Sequence, residues 1–120
     1  MFFYVKQPTP SHSERTVFMV NIDAVKDKTD LLKQLQSGFD LPDYFGHNWD
    51  ALEDCLTDLN WVAEKEVWLI HNAQLALEDH ELETYLSILK DVGKHWQQNE
   101  AHNFTVILPS SLEGKLPELL

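Results

Sequence analysis

The sequence predicts an α/β fold in which a small three-stranded parallel sheet packs with about four helices, and two observations carry that prediction. Three short segments, residues 16–22, 66–70 and 104–108, are almost continuously apolar and rich in β-branched and aromatic residues, the pattern of strands buried on both faces. Between them the apolar residues recur every three or four positions, as on one face of a helix. Strands separated by helices need crossover connections, and crossovers imply a parallel sheet.

The elements follow in order. Residues 1–15 contain Pro8, Pro10 and a polar stretch through Arg15, and read as an arm or a short extra edge. The first buried strand is TVFMVNI at 16–22. Leu31, Leu32 and Leu35 then mark a helix that starts at a cap on Thr29 or Asp30 and stops at Gly38. Trp49, Leu52, Leu56 and Leu59 mark a second helix, with Asn48 as its N-cap and Gly46 permitting the turn before it. After the strand EVWLI at 66–70, Leu82, Leu86, Leu89 and Trp96, with Tyr85 and Val92, describe a long amphipathic helix. Its outer face carries Glu81, Glu83 and Lys90. FTVIL at 104–108 is the last strand. In the tail, Ser110, Ser111 and Gly114 suit a loop, and Leu116, Leu119 and Leu120 suit docking on the domain or on a second copy. The expected organisation is a single domain over 1–120, divided into an arm (1–15), a core (16–109) and a tail (110–120).

Composition narrows the function. With 120 residues and 43% hydrophobic content the chain can close one core. Nine Lys and Arg against twenty Asp and Glu give a formal charge of −11, which repels phosphate backbones and anionic headgroups and favours encounter with basic proteins. No direct nucleic-acid or membrane partner is expected. Cys55 is the only cysteine, so no internal disulfide forms and a reducing compartment is expected. The first ten residues lack the basic start and small-residue cleavage site of a secretion signal, and no apolar run reaches the ~18 residues of a membrane span. The expected location is the cytoplasm, and the free chain is expected to be a monomer.

The charge is concentrated. Seven carboxylates and no Lys or Arg lie between Lys33 and Lys65, and Asp50, Asp54 and Asp58 are spaced by four inside LPDYFGHNWDALEDCLTDLNW. On a helix they form an anionic stripe opposite the apolar one. Like charges at that spacing oppose each other by about 0.2–0.5 kcal/mol per pair, and carboxylates near a helix C-terminus oppose the macrodipole. A local rule broken in this way points to a surface built for a cationic partner. A merely solvated acidic face is the plain alternative.

LPDYFGHNWDALEDCLTDL resembles the signature of the barstar family, small bacterial inhibitors that bind a cytotoxic ribonuclease and block its active site. The likeness includes the Leu-Pro-acid-Tyr-aromatic-Gly turn, the run Asn48, Asp50, Ala51, Leu52 and the run Asp54, Cys55, Leu56, Thr57 without gaps, and extends more loosely from about residue 16 to 109. The resemblance implies a barstar-like fold, with a three-stranded parallel sheet backed by helices. It also implies that the aspartate entering the enzyme's phosphate pocket is Asp54, that the second helix aspartate contacting its cations is Asp50, and that the tyrosine of the preceding loop is Tyr44. A further family carboxylate falls on Asp91. Carboxylates at fixed spacing can imitate the phosphates that a ribonuclease holds with Arg, Lys and His. The sequence departs from the familiar inhibitor at Glu53, where that protein has tryptophan, and at Asp58, where it has glycine. Both changes add negative charge. His47, Glu53 and Asp58 complete the expected partner-binding set.

The reading is thus a non-enzymatic immunity-type inhibitor of a basic ribonuclease, with no cofactor and no resident metal. An acidic binding module for another cationic protein keeps the same surface. A divalent-metal protein using His47, Asp50 and Asp54 is the rival of another class, though no HExxH, paired-cysteine or EF-hand pattern accompanies those residues. A two-carboxylate hydrolase would need the acids to converge in a cleft, whereas i and i+4 aspartates diverge into solvent. Cys55 lies beside the apolar stripe and reads as core filler before nucleophile. The six histidines show no ligand spacing. Trp49, Trp68 and Trp96 read as core or strand residues, and Trp61 either contacts a partner or folds back onto the domain.

Overall fold

A computed structural model describes residues 2–5, 17–42, 45, 46, 48–109 and 112. Its elements are β1 (Phe2–Val5), β2 (Val17–Ile22), α1 (Lys28–Phe39), α2 (Trp49–Leu56), β3 (Glu66–His71), α3 (Asp79–Gln98) and β4 (Asn103–Pro109). The three strands expected from the apolar runs lie side by side in the order β4-β3-β2, each pair parallel, and β1 joins beyond β4 as a fourth, parallel edge. Val20 pairs with Leu69 and Leu69 with Val106, which brings apolar positions of three strands onto one row of the core face. Three α-helices are present among the described residues, one fewer than about four. Among the described residues before α2, the Phe45 N–H bonds Pro42 O at 2.9 Å and Gly46 has φ 71°.

α1 packs on β2, α3 packs on β4, and α2 packs chiefly on α3. The shared core contains Val20, Ile22, Leu35, Phe39, Leu52, Leu56, Leu69, Leu86 and Val106, all essentially without solvent exposure. Long strands with few polar residues can supply this because helices cover their inner face, and no position there has to remain polar.

Two details of α1 differ from the sequence expectation. Its N-cap is Asp27, whose carboxylate accepts from the Asp30 N–H at 2.8 Å, so the cap lies two or three residues earlier than Thr29 or Asp30. Gly38 does not end the helix. The left-handed residue is Asp40 (φ 56°), whose N–H returns to Gln36 O. Gly38 serves close approach instead: a Cβ there would stand 2.5 Å from Val20 Cγ1.

One polar pair is sealed under the helices. His71, at the end of β3, has Nδ1 2.8 Å from Ile107 O and Nε2 2.7 Å from the Tyr85 hydroxyl. A carbonyl only accepts, so Nδ1 carries the proton and Nε2 accepts from Tyr85. Burial lowers the His71 pKa to about 4 against the hydrogen bond to Ile107, and burial raises that of Tyr85.

Two predictions follow from the packing and the buried pair. Gly38→Ala should destabilise the fold by about 1–3 kcal/mol through overpacking against Val20, despite the roughly 1 kcal/mol that alanine gains in a helix, as read by urea denaturation. Equal or higher stability would contradict the close contact. For His71, the unfolded chain takes up a proton near pH 6.5 while the folded chain resists until about 4. Its contribution is therefore complete above about pH 6.5 and is lost as pH falls toward 4, by up to about 3 kcal/mol. His71→Asn should flatten the dependence of stability on pH across that window, and a variant with the parent's slope would exclude the effect.

Candidate functional site

The acidic helix forms where the spacing places it. Asn48 caps α2, its side-chain oxygen accepting from the Ala51 N–H at 2.8 Å. Leu52, Leu56 and Leu59 are fully buried, and Trp49 is half-buried against Tyr85 with ring centroids 6.0 Å apart. Lys28 Nζ lies 5.1 Å from the Trp49 ring centre, a cation–π contact at the N-terminal end of the helix. At the other end Trp96 of α3 donates from Nε1 to Leu56 O at 2.9 Å, which satisfies a carbonyl that the helix leaves without an internal partner. Both ends are thus fixed by named bonds.

The opposite face is anionic and open. Asp50, Asp54 and Asp58 are exposed. Asp50 is in the first turn, where the macrodipole suits it, whereas Asp54 is near the C-terminus and the last turn carries no basic residue. Asp58 is not part of the helix. α2 ends at Leu56, and Thr57 turns its hydroxyl back to Glu53 O at 2.9 Å and Asp54 O at 3.2 Å. Leu59 then adopts φ 45°, which returns its side chain to the core. The three-aspartate stripe is therefore two positions on a helix and one on the turn that follows, because the chain must reverse to bury Leu59.

α3 completes the surface. A cleft of about 400 Å³ between α2 and α3 is lined by Glu53, Glu83, Ser87 and Asp91, among others. Glu53 is half-buried there, and its carboxyl is pushed above the usual range by burial, then by Asp91, Asp54 and Asp50. The fold thereby brings Asp91, forty-one positions from Asp50 in sequence, to the acidic face of α2. Among the described residues, none of Asp50, Asp54 and Asp91 has a Lys or Arg partner. Tyr44 and His47 lie outside the described residues. Glu83 and Ser87 were not anticipated at this surface. Their spacing with Asp91, four residues at each step on one helix, is the signal that would have placed them together.

Other candidates resolve by burial. Cys55 is buried, and burial, then Asp54 and Asp58, raise its thiol pKa, so it stays protonated beside the leucines. Trp61 folds back, its Nε1 donating to Phe39 O at 2.8 Å. Among the described residues no three His, Cys, Asp or Glu side chains converge as metal ligands, and no helix is long and apolar enough to cross a membrane.

The fold and the acidic face agree with the comparison to known families: the profile described as Barstar (barnase inhibitor) matches residues 15–109, which include every strand of the core, all three helices and the whole α2–α3 surface except the edge strand β1. The chain belongs to the barstar family.

Proposed function

We propose that this protein inhibits a basic ribonuclease by laying α2 across the enzyme's active site, so that Asp54 enters the site that binds RNA phosphate. Asp50, Tyr44 and Asp91 support Asp54 in this role, and His47, Glu53 and Asp58 complete the partner-binding set. The observation that supports this most directly is Asp54 itself: an exposed carboxylate without a cationic partner among the described residues, on a helix anchored at both ends to the core. An enzyme site lined by Arg, Lys and His offers charge-assisted hydrogen bonds to such a carboxylate. Membership in a family described as barnase inhibitors supports a ribonuclease as the partner. The exposed row of Asp50 and Asp54 and the open cleft toward α3, lined by Glu53, Glu83 and Asp91, support a protein surface as the partner.

The missing positive charge in the last turn of α2 is informative. Asp54 lies at the negative end of the helix dipole, so an arriving guanidinium or ammonium improves both the carboxylate and the dipole. In the free protein that arrangement is mildly unfavourable, and binding relieves it.

The test is inhibition of a barnase-type ribonuclease in an RNA-hydrolysis assay, with Asp54→Ala beside the parent. The parent should inhibit, and the variant should bind about 2–5 kcal/mol more weakly, a range that complexes of this family helped to define. Equal inhibition by both would refute the assignment of Asp54. Asp58, exposed on the turn, should act from a distance: Asp58→Asn should slow association and reduce its sensitivity to salt while leaving dissociation nearly unchanged. A change confined to the dissociation rate would contradict that role.

A further inference from the structure

The chain leaving α2, residues 57–65, carries Asp58 and is tied down by an unusual histidine. His102, just ahead of β4, is 5% exposed. Its two ring nitrogens face two different main-chain carbonyls of this one loop: Nδ1 lies 2.8 Å from Glu64 O and Nε2 lies 3.3 Å from Leu59 O. A neutral imidazole has a single N–H, so either tautomer turns a lone pair toward one of these carbonyls. Only the imidazolium donates to both.

The loop has reason to need both bonds. Leu59 holds φ 45°, a region that leucine adopts only when its surroundings enforce it, and its carbonyl is also the acceptor for the Val62 N–H at 3.1 Å. An open cleft of about 460 Å³ is lined by Asp58, Leu59, Asn60, His95, Trp96 and His102, so the loop and the histidine share one surface. Trp96 links the two sides: its Nε1 bonds Leu56 O, and its ring meets His102 edge-on at 4.8 Å.

We propose that His102 is a pH-responsive positioning residue, which on gaining a proton completes the second of two hydrogen bonds and tightens the 57–65 loop that presents Asp58. Among the described residues, the charged and titratable side chains around it are Asp58, Glu64 and Lys65 on the loop, Glu66 at the start of β3, His95 on α3 and Glu100 before β4. Lys65 is engaged by Glu100 O at 2.6 Å and Glu66 by the Asn103 amide at 2.6 Å. His95 stands edge-on to Trp96 at 4.5 Å and is the group whose titration has to be separated from that of His102. The consequence for partner binding rests on the inhibitor reading. The response of the loop does not, and it is read in the free protein.

The experiment is an NMR titration of the full chain, labelled with nitrogen-15, from pH 5 to 8. The Asp58, Asn60 and Glu64 amides should shift with the same midpoint as the His102 ring. Protection of the Val62 amide, corrected for intrinsic exchange, should rise about fivefold on protonation, the effect of one added hydrogen bond of roughly 1 kcal/mol. His95→Gln should keep the shared transition and His102→Gln should lose it. Loop amides that stay still while His102 titrates, or a transition that follows His95, would overturn the proposal. The parent and His95→Gln titrations decide the matter even if His102→Gln does not fold.

Discussion

The structure depends on one constraint: α2 is too short to exist alone, and it has to present charge on one side while the other side is locked into the core. Eight residues are below the length at which an isolated helix is stable in water. Leu52 and Leu56, with Leu59 beyond the helix end, supply the buried stripe. Asn48 closes the N-terminal end, and the Trp96 indole closes the C-terminal end. Since these anchors come from the preceding loop and from α3, the spacing of Asp50 and Asp54 is a property of the whole fold. Loss of the anchors would release the carboxylates from any fixed register.

The remainder of the molecule reads as a support for that helix. α3 is twenty residues long and packs on β4 with one face while receiving α2 on another. Tyr85 sits at the junction, its ring against Trp49 and its hydroxyl on His71 of β3, so one side chain spans the site helix and the sheet. On the far side of the core, α1 approaches β2 closely enough that Gly38 has no room for a Cβ. Tight packing of this kind leaves α2 little freedom to slide, which is what a surface that matches another protein's charges requires.

The electrostatics have the opposite character. Asp54 stands near carbonyl groups that favour a cation, Glu53 is half-buried beside Asp91, and Asp58 adds charge on the turn. None of these choices helps the free protein. On the inhibitor reading proposed above, each would become favourable against a cationic surface, with stability given up locally in exchange for binding.

Periodicity alone established much of this protein. The three inner strands, the three helices, the cap at Asn48 and the outward placement of Asp50 and Asp54 follow from local patterns, because burial on one face and exposure on the other is written at spacings of two and of three to four residues. The likeness of the α2 segment to barstars pointed to the family that the match over 15–109 shows. Tertiary structure decided what depends on distant neighbours. Gly38 serves a contact with Val20 rather than a helix end, Trp61 turns inward to Phe39, Asp91 and Glu53 share a cleft, and His102 reaches the loop after α2. Local pattern does not decide any of these, because each is a meeting between side chains or carbonyls that only the packing of α1, α3 and the sheet brings within a few ångströms.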